Sequence, residues 1–222
     1  MRVTQFSLRG PEGPMYSETA YLEVLQPGRC PLCFLLHDYV HEHLKSLLEE
    51  SVTDPVTREA LFQSKGFCNH HAWQAVQQGK HLGMAVIYGS LLERGLKELS
   101  NKPKFWGRSK VKSCPLCESA KKRDLALIGQ FSLSWNGSEK LRASFHQKGV
   151  LCLNHLEKSL VQKMNPANRK NLYETGKKAL EDILKDLNEF LGKQDYHRSH
   201  ESIGAEKDAW IRAVRVISGE RE

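Results

Sequence analysis

The 222-residue sequence contains no apolar run approaching the roughly 18 to 20 residues that a membrane-spanning helix needs, so no membrane association is expected. Its opening stretch, MRVTQFSLRGPEGPMYSETAY, lacks the apolar centre of a secretory leader, and a cytoplasmic location is expected. There is no glycine-rich phosphate loop, no Ser/His/Asp arrangement and no carboxylate pair at a telling spacing. No catalytic constellation emerges, and a non-enzymatic role is expected. No segment alternates apolar and polar residues convincingly, which argues against a sheet. Cysteine is also scarce, six residues in all. In a reducing compartment so few thiols favour metal or redox chemistry over structural disulfides.

What is present is a repeat. CPLC stands at residues 30–33 and again at 114–117. From Cys33 to Cys68 is 35 positions, and from Cys117 to Cys152 is also 35. Each later cysteine is followed three residues on by a histidine, in CNHH (His71) and CLNH (His155). An offset of 84 carries Cys30, Cys33, Cys68 and His71 onto Cys114, Cys117, Cys152 and His155, and all six cysteines are used. The fixed points of the repeat are therefore metal-ligand residues.

Helical periodicity runs between these points. Leu36, Val40, Leu44 and Leu47/Leu48 recur at helical spacing after the first CPLC. In TDPVTREALFQSKG, Asp54 reads as an N-cap with Pro55 at the first helical position, and Gly66 closes the element. LGMAVIYGSLLERGLKEL puts Met84, Ile87, Leu91 and Leu92 on one stripe. NPANRKNLYETGKKALEDILKDLNEFL is a long amphipathic helix with Leu180, Ile183, Leu184, Leu187 and Leu191 inward. A last helix runs through Trp210, Ile211, Val214 and Ile217. The expected fold is all-α: two diverged helical repeats, each closed by a Cys₃His metal site, plus a C-terminal helix. The segments are an N-terminal extension (1–19), repeat one (20–108), repeat two (109–193) and a tail (194–222). Leu44 with Ile128, and Leu47 with Phe131, are expected in a shared core. Asp54 aligns with Ser138, another N-cap residue, Arg58 with Arg142, and, with a shift of one, Tyr88 with Tyr173.

Two cysteines at i and i+3 turn both sulfurs toward one point when the chain makes a tight turn before a helix. There the sulfurs also face free N–H groups and the positive end of the helix dipole, which favours the metal-binding thiolate. A cysteine and a histidine at the same spacing complete a Cys₃His set, the composition of a closed structural zinc site. The simplest pairing is within each repeat, Cys30, Cys33, Cys68 and His71 at one site and Cys114, Cys117, Cys152 and His155 at the other. Zn²⁺ at both sites is the first expectation and a [4Fe–4S] cluster the alternative. Thiol–disulfide chemistry by CPLC ranks third, because it leaves the histidines idle. His70 aligns with Asn154, so His71 is the better ligand. His37 and His41 have no counterparts in repeat two and read as helix histidines, His41 partly buried and His37 at the surface. Arg58 and Arg142 read as partners of acids or helix ends.

The net charge is +7. NKPKFWGRSKVKSCPLCESAKKR carries eight Lys/Arg against one Glu and is a plausible linker. Lys104, Trp106, Arg108, Lys110 and Lys112 are the candidate nucleic-acid contacts, basic groups with an aromatic that can stack on bases. The alternative is a solvated linker whose aromatics plug a seam. The combination CPLC…DPVTREAL…GFCNHH…GMAVIYGSLL with a second CPLC…LCLNHL resembles a prokaryotic domain-of-unknown-function family with doubled CPxC and CxxH motifs, over about residues 20–218. The resemblance implies that the eight ligand positions and the DPxxR helix start belong together, and implies no reaction. The function expected is a metal-binding helical interaction or scaffold module with a protein partner. An iron–sulfur redox or sensor protein, and a nucleic-acid-binding protein, are the alternatives.

Overall fold

The computed structural model describes residues 16–100, 111–198 and 200–220. Ten α-helices and two short 3₁₀ turns make up its regular structure, with no strand among the described residues. The helices are α1 (Glu18–Val24), α2 (Pro31–Glu50), α3 (Pro55–Gln63), α4 (Asn69–Gln77), α5 (His81–Ser100), α6 (Pro115–Gly137), α7 (Glu139–Lys148), α8 (Leu153–Leu160), α9 (Pro166–Gly192) and α10 (Ala209–Ser218). The all-α expectation holds.

The local signals act as read. Asp54 Oδ2 accepts from Thr57 N at 2.7 Å, and the aligned Ser138 Oγ accepts from Leu141 N at 3.0 Å, so both short helices start on a side-chain cap. Asn165 caps α9 in the same way, with Pro166 at its first position. α3 ends at Gln63, where Lys65 and Gly66 turn into the left-handed region at φ 57° and 96° and Gly66 N donates to Leu61 O. The expected stop at Gly66 is this left-handed cap.

Contacts group the chain into two compact units whose divisions fall inside α2 and α6. One unit spans residues 38–123; the other joins 16–37 to 124–220. In the first, Leu44, Leu47, Leu48, Leu61, Phe67, Ala75, Ile87 and Leu116 form the core, with Met84 and Leu91 packed against it. In the second, Tyr21, Leu32, Leu127, Ile128, Phe131, Trp135, Leu141, Phe145 and Leu172 form the main core. Phe131, Trp135 and Phe145 meet with ring centroids 5.4 to 5.7 Å apart, and Trp135 Nε1 donates to Asn168 O. Leu44 and Leu47 thus lie in one core and Ile128 and Phe131 in another. All four are buried, but they are equivalent positions and not partners.

The stripes are narrower than their sequences suggest. Leu92, Leu184 and Leu191 are exposed, while Ile87 and Ile183 are buried as expected. α10 turns Ala209 and Val216 inward and leaves Trp210, Val214 and Ile217 outside. In a helix apolar on most of its faces, the neighbours choose the buried side.

Gly83 is a close-approach position: a Cβ there would run into the carbonyl oxygen of Leu48 on α2. Backbone cannot rotate away as a side chain can. Gly83→Ala is therefore expected to destabilise the protein by about 1–3 kcal/mol, read as a lower denaturant midpoint. Gly89→Ala, where the added methyl meets open space, is expected to be neutral or stabilising.

Candidate metal centres

Four helix starts carry the eight ligand-type residues. Cys68 and Cys152 are the N-caps of α4 and α8, and their carbonyls accept from Ala72 N and Leu156 N. Cys30 and Cys114 immediately precede Pro31 and Pro115, and their carbonyls accept from Phe34 N and Glu118 N. Each motif thus places one donor just before a helix and the next three residues on, in the first turn. At that spacing both side chains sit over the free N–H groups of the helix start, next to each other.

These four starts meet in two pairs. At the first centre, Cys30 Sγ, Cys33 Sγ and Cys152 Sγ lie 3.4, 3.4 and 3.2 Å from His155 Nδ1, and Cys33 Sγ lies 3.6 Å from Cys152 Sγ. At the second, Cys68 Sγ, Cys114 Sγ and Cys117 Sγ lie 3.1, 3.6 and 3.4 Å from His71 Nδ1, and Cys68 Sγ lies 3.7 Å from Cys117 Sγ. Within each group the four donor atoms all lie within 4.8 Å of one another, so each can hold a metal ion.

The expected pairing within repeats is overturned. CPLC of each repeat meets the Cys-x-x-His of the other, so neither repeat is closed by its own four ligands. Each complete donor set does lie within one compact unit, the first centre in residues 16–37 with 124–220 and the second in 38–123. The physical reason is helix length. α2 carries the chain about 26 Å from Cys33 to Glu50 at 1.5 Å per residue, and nine-residue α3 is only about half that long, too short to return the chain to Cys33 whatever its direction. The same holds for 23-residue α6 and ten-residue α7. Both pairings satisfy the 84-residue offset equally, so the repeat pattern is blind to the exchange. The long uninterrupted helical pattern after each CPLC was the signal that could have revealed it.

The two centres differ in their surroundings. At the first, all four donors are buried. His155 Nε2 lies 2.8 Å from Asp124 Oδ1, and Lys158 Nζ donates to Asp124 Oδ2 at 2.7 Å. A carboxylate behind the imidazole fixes its tautomer and turns Nδ1 toward the thiols. Asp124 was not singled out in the sequence, because its repeat equivalent is Val40 and no spacing marks it. Burial opposes ionisation of Asp124, but His155 and Lys158 outweigh it and hold the carboxyl below its usual range. Burial likewise opposes charge on His155, yet Asp124 and the thiols Cys152 and Cys33 raise it to about 11. Cys30 is pushed up by burial, while hydrogen bonds from Cys30 and Cys33 draw Cys152 down.

The C-terminal end of α10 covers this first centre. A Cβ on Gly219 would stand 3.6 Å from Cys33 Sγ, and the φ of 84° there suits glycine. Glu220, buried in its side chain, pairs with Arg29 at 3.2 Å and Arg215 at 3.4 Å, tying the end of α10 to the residue before Cys30. At the second centre Cys114 and His71 are buried, but Cys68 and Cys117 are partly exposed. Burial still pushes the Cys117 thiol up to about 12. Among the described residues His71 makes no hydrogen bond to a carboxylate.

His70 is exposed and stacks edge-on against His71, whose Nδ1 faces the thiols, so the geometry selects His71. His37 is half-buried and His41 exposed, the reverse of the expectation, and His41 Nδ1 faces Gln78 Nε2 at 3.3 Å. Arg142 Nη1 donates to the carbonyls of Trp135 and Asn136 at the end of α6, the helix-end role expected of it. Arg58 instead donates to Ser90 Oγ on α5 and lies over the Phe62 ring. Lys104, Trp106, Arg108 and Lys110 lie outside the described residues. Lys112 is exposed, and its backbone N–H donates to Gln63 O.

Comparison with known proteins places this geometry in a family. A family model described as a family of unknown function, DUF6062, matches residues 23–110 and 96–222, and the chain belongs to that family. The chain is also similar to an "Uncharacterized 23.9 kDa protein in xynA 3'region" of Caldicellulosiruptor sp. (strain Rt8B.4). The two are 26% identical over 204 residues, covering 89% of this chain and 98% of that one. No solved structure matches.

The exchange can be checked without any metal. Brief treatment of the reduced, chelator-stripped protein with a short bis-alkylating reagent, followed by peptide mapping, is expected to join Cys68 to Cys117, the pair left partly exposed. Recovery of Cys33 joined to Cys68 would restore the within-repeat pairing.

Proposed function

We propose that the protein is a zinc protein with two structural Cys₃His centres, ligated by Cys30, Cys33, Cys152 and His155 and by Cys68, His71, Cys114 and Cys117, and that it serves as a helical interaction or scaffold module. The observation that carries this reading is the donor spacing. A single tetrahedral ion with Zn–S bonds of about 2.3 Å and a Zn–N bond of about 2.0 Å separates its ligands by roughly 3.3 to 3.8 Å. The shortest separations run from 3.1 to 3.7 Å, and all four donor atoms of each group lie within 4.8 Å of one another. A [4Fe–4S] cubane gives each ligand its own iron and spreads the ligand sulfurs to roughly 6 Å, so the spacing favours a mononuclear site over the cluster.

Zinc at these sites would stabilise the fold directly. Each ion would join two helix starts distant in sequence, and the unfolded chain has no such site. Zinc binds thiolates and neutral imidazole, so uptake at either centre releases protons and zinc affinity is expected to rise with pH. The module reading is supported by the apolar surface the helices leave outside. Leu92, Leu96 and Leu99 follow one another along α5 at helical spacing, all exposed.

Elemental analysis of anaerobically purified protein is expected to find two zinc equivalents per chain in a colourless solution. A brown solution with broad absorption near ~400 nm would instead establish the cluster. Cys30→Ser/Cys33→Ser/Cys152→Ser is expected to keep one equivalent, because it empties only the first centre. Cys30→Ser/Cys33→Ser/Cys68→Ser/His71→Ala is expected to lose both, because it leaves only two donors at each centre.

A further inference from the structure

We infer that the two centres are chemically unequal: the Cys68–His71–Cys114–Cys117 centre is a reactive thiol–metal site that yields its ion to peroxide, while the Cys30–Cys33–Cys152–His155 centre is permanent. This rests on the metal-binding reading above and adds a division of labour to it.

Three independent features separate the centres. The first is access. Cys30, Cys33, Cys152 and His155 are 3, 5, 1 and 2% exposed, whereas Cys68 and Cys117 both reach the surface. An oxidant must touch sulfur to react, so only the second centre offers a target. The second is support behind the imidazole. Asp124 holds His155 in the ligating orientation and is itself held by Lys158, and such a carboxylate typically contributes 10–100-fold in metal affinity. His71 has no carboxylate hydrogen bond among the described residues. The third is cover. Gly219 lies against Cys33, and Glu220 latches that stretch to Arg29 and Arg215.

The chemistry of the second centre follows from its spacing. Cys68 Sγ and Cys117 Sγ are 3.7 Å apart and belong to its two partly exposed cysteines. Hydrogen peroxide takes one electron from each thiolate. Its O–O bond breaks and, with two protons from solvent, leaves as two waters, while one S–S bond forms between Cys68 and Cys117. The sulfurs must close to about 2.05 Å. Cys114 and His71 alone then remain, too few to retain the divalent ion, which is released. The same two thiolates return when an external dithiol reduces the disulfide.

The test uses the full-length, zinc-loaded protein treated with increasing hydrogen peroxide, with released zinc read by a chromogenic chelator and disulfides mapped by mass spectrometry. One zinc equivalent is expected to leave at least tenfold faster than the other, in step with a Cys68–Cys117 disulfide. In Arg29→Ala/Glu220→Ala, which unlatches the cover, release from the first centre is expected to accelerate while release from the second is unchanged. Equal release rates of the two ions in the wild-type protein, or a Cys33–Cys152 disulfide forming first, would overturn the inequality. Protein that binds no zinc at all would overturn the metal reading itself, and the zinc content before oxidation separates the two failures.

Discussion

The constraint on which the structure turns is the pairing of helix starts. Four helices begin on a cysteine, and in each the third residue of the helix is a second ligand type. A helix start is the one place where backbone N–H groups lie free and the dipole is positive. A cluster of thiols that becomes anionic on binding a divalent ion belongs there. Two such starts brought together supply four donors in a small tetrahedron, and α2 with α8, and α6 with α4, are joined in this way.

Everything else serves those meetings. Each donor set lies in a compact unit with its own apolar core. The unit of the first centre buries an aromatic cluster, encloses all four donors and adds Asp124 and the latch of Glu220. The unit of the second leaves two sulfurs at the surface. The duplicated motif has thus been given two environments. Asp124 takes the place that Val40 holds in the other repeat, and that single difference separates a backed imidazole from one without a carboxylate partner among the described residues.

Family membership is consistent with this reading and adds no reaction to it. The family model matches in two overlapping segments and reaches from residue 23 to 222, so both motif sets and the C-terminal helix fall within the matched residues. What the chain offers chemically is two groups of four thiol and imidazole donors, each able to hold a metal ion.

The sequence by itself determined the helical class, the repeat, the eight donors and the caps at Asp54 and Ser138, because each is a local matter. Periodicity, an N-cap oxygen and a three-residue ligand spacing act within one or two turns. It also carried the choice of His71 over His70, through alignment with Asn154. Only the tertiary structure decided which motifs meet. The two repeats offer identical donors at identical offsets, so local chemistry is satisfied by either pairing. The choice is made by the lengths of α2 and α6, which outrun the short helices that follow them. Tertiary packing likewise decided which face of α10 is buried and brought Asp124 behind His155 and Glu220 onto Arg29. These contacts join residues 31 and 191 positions apart, and no periodicity within either segment encodes them.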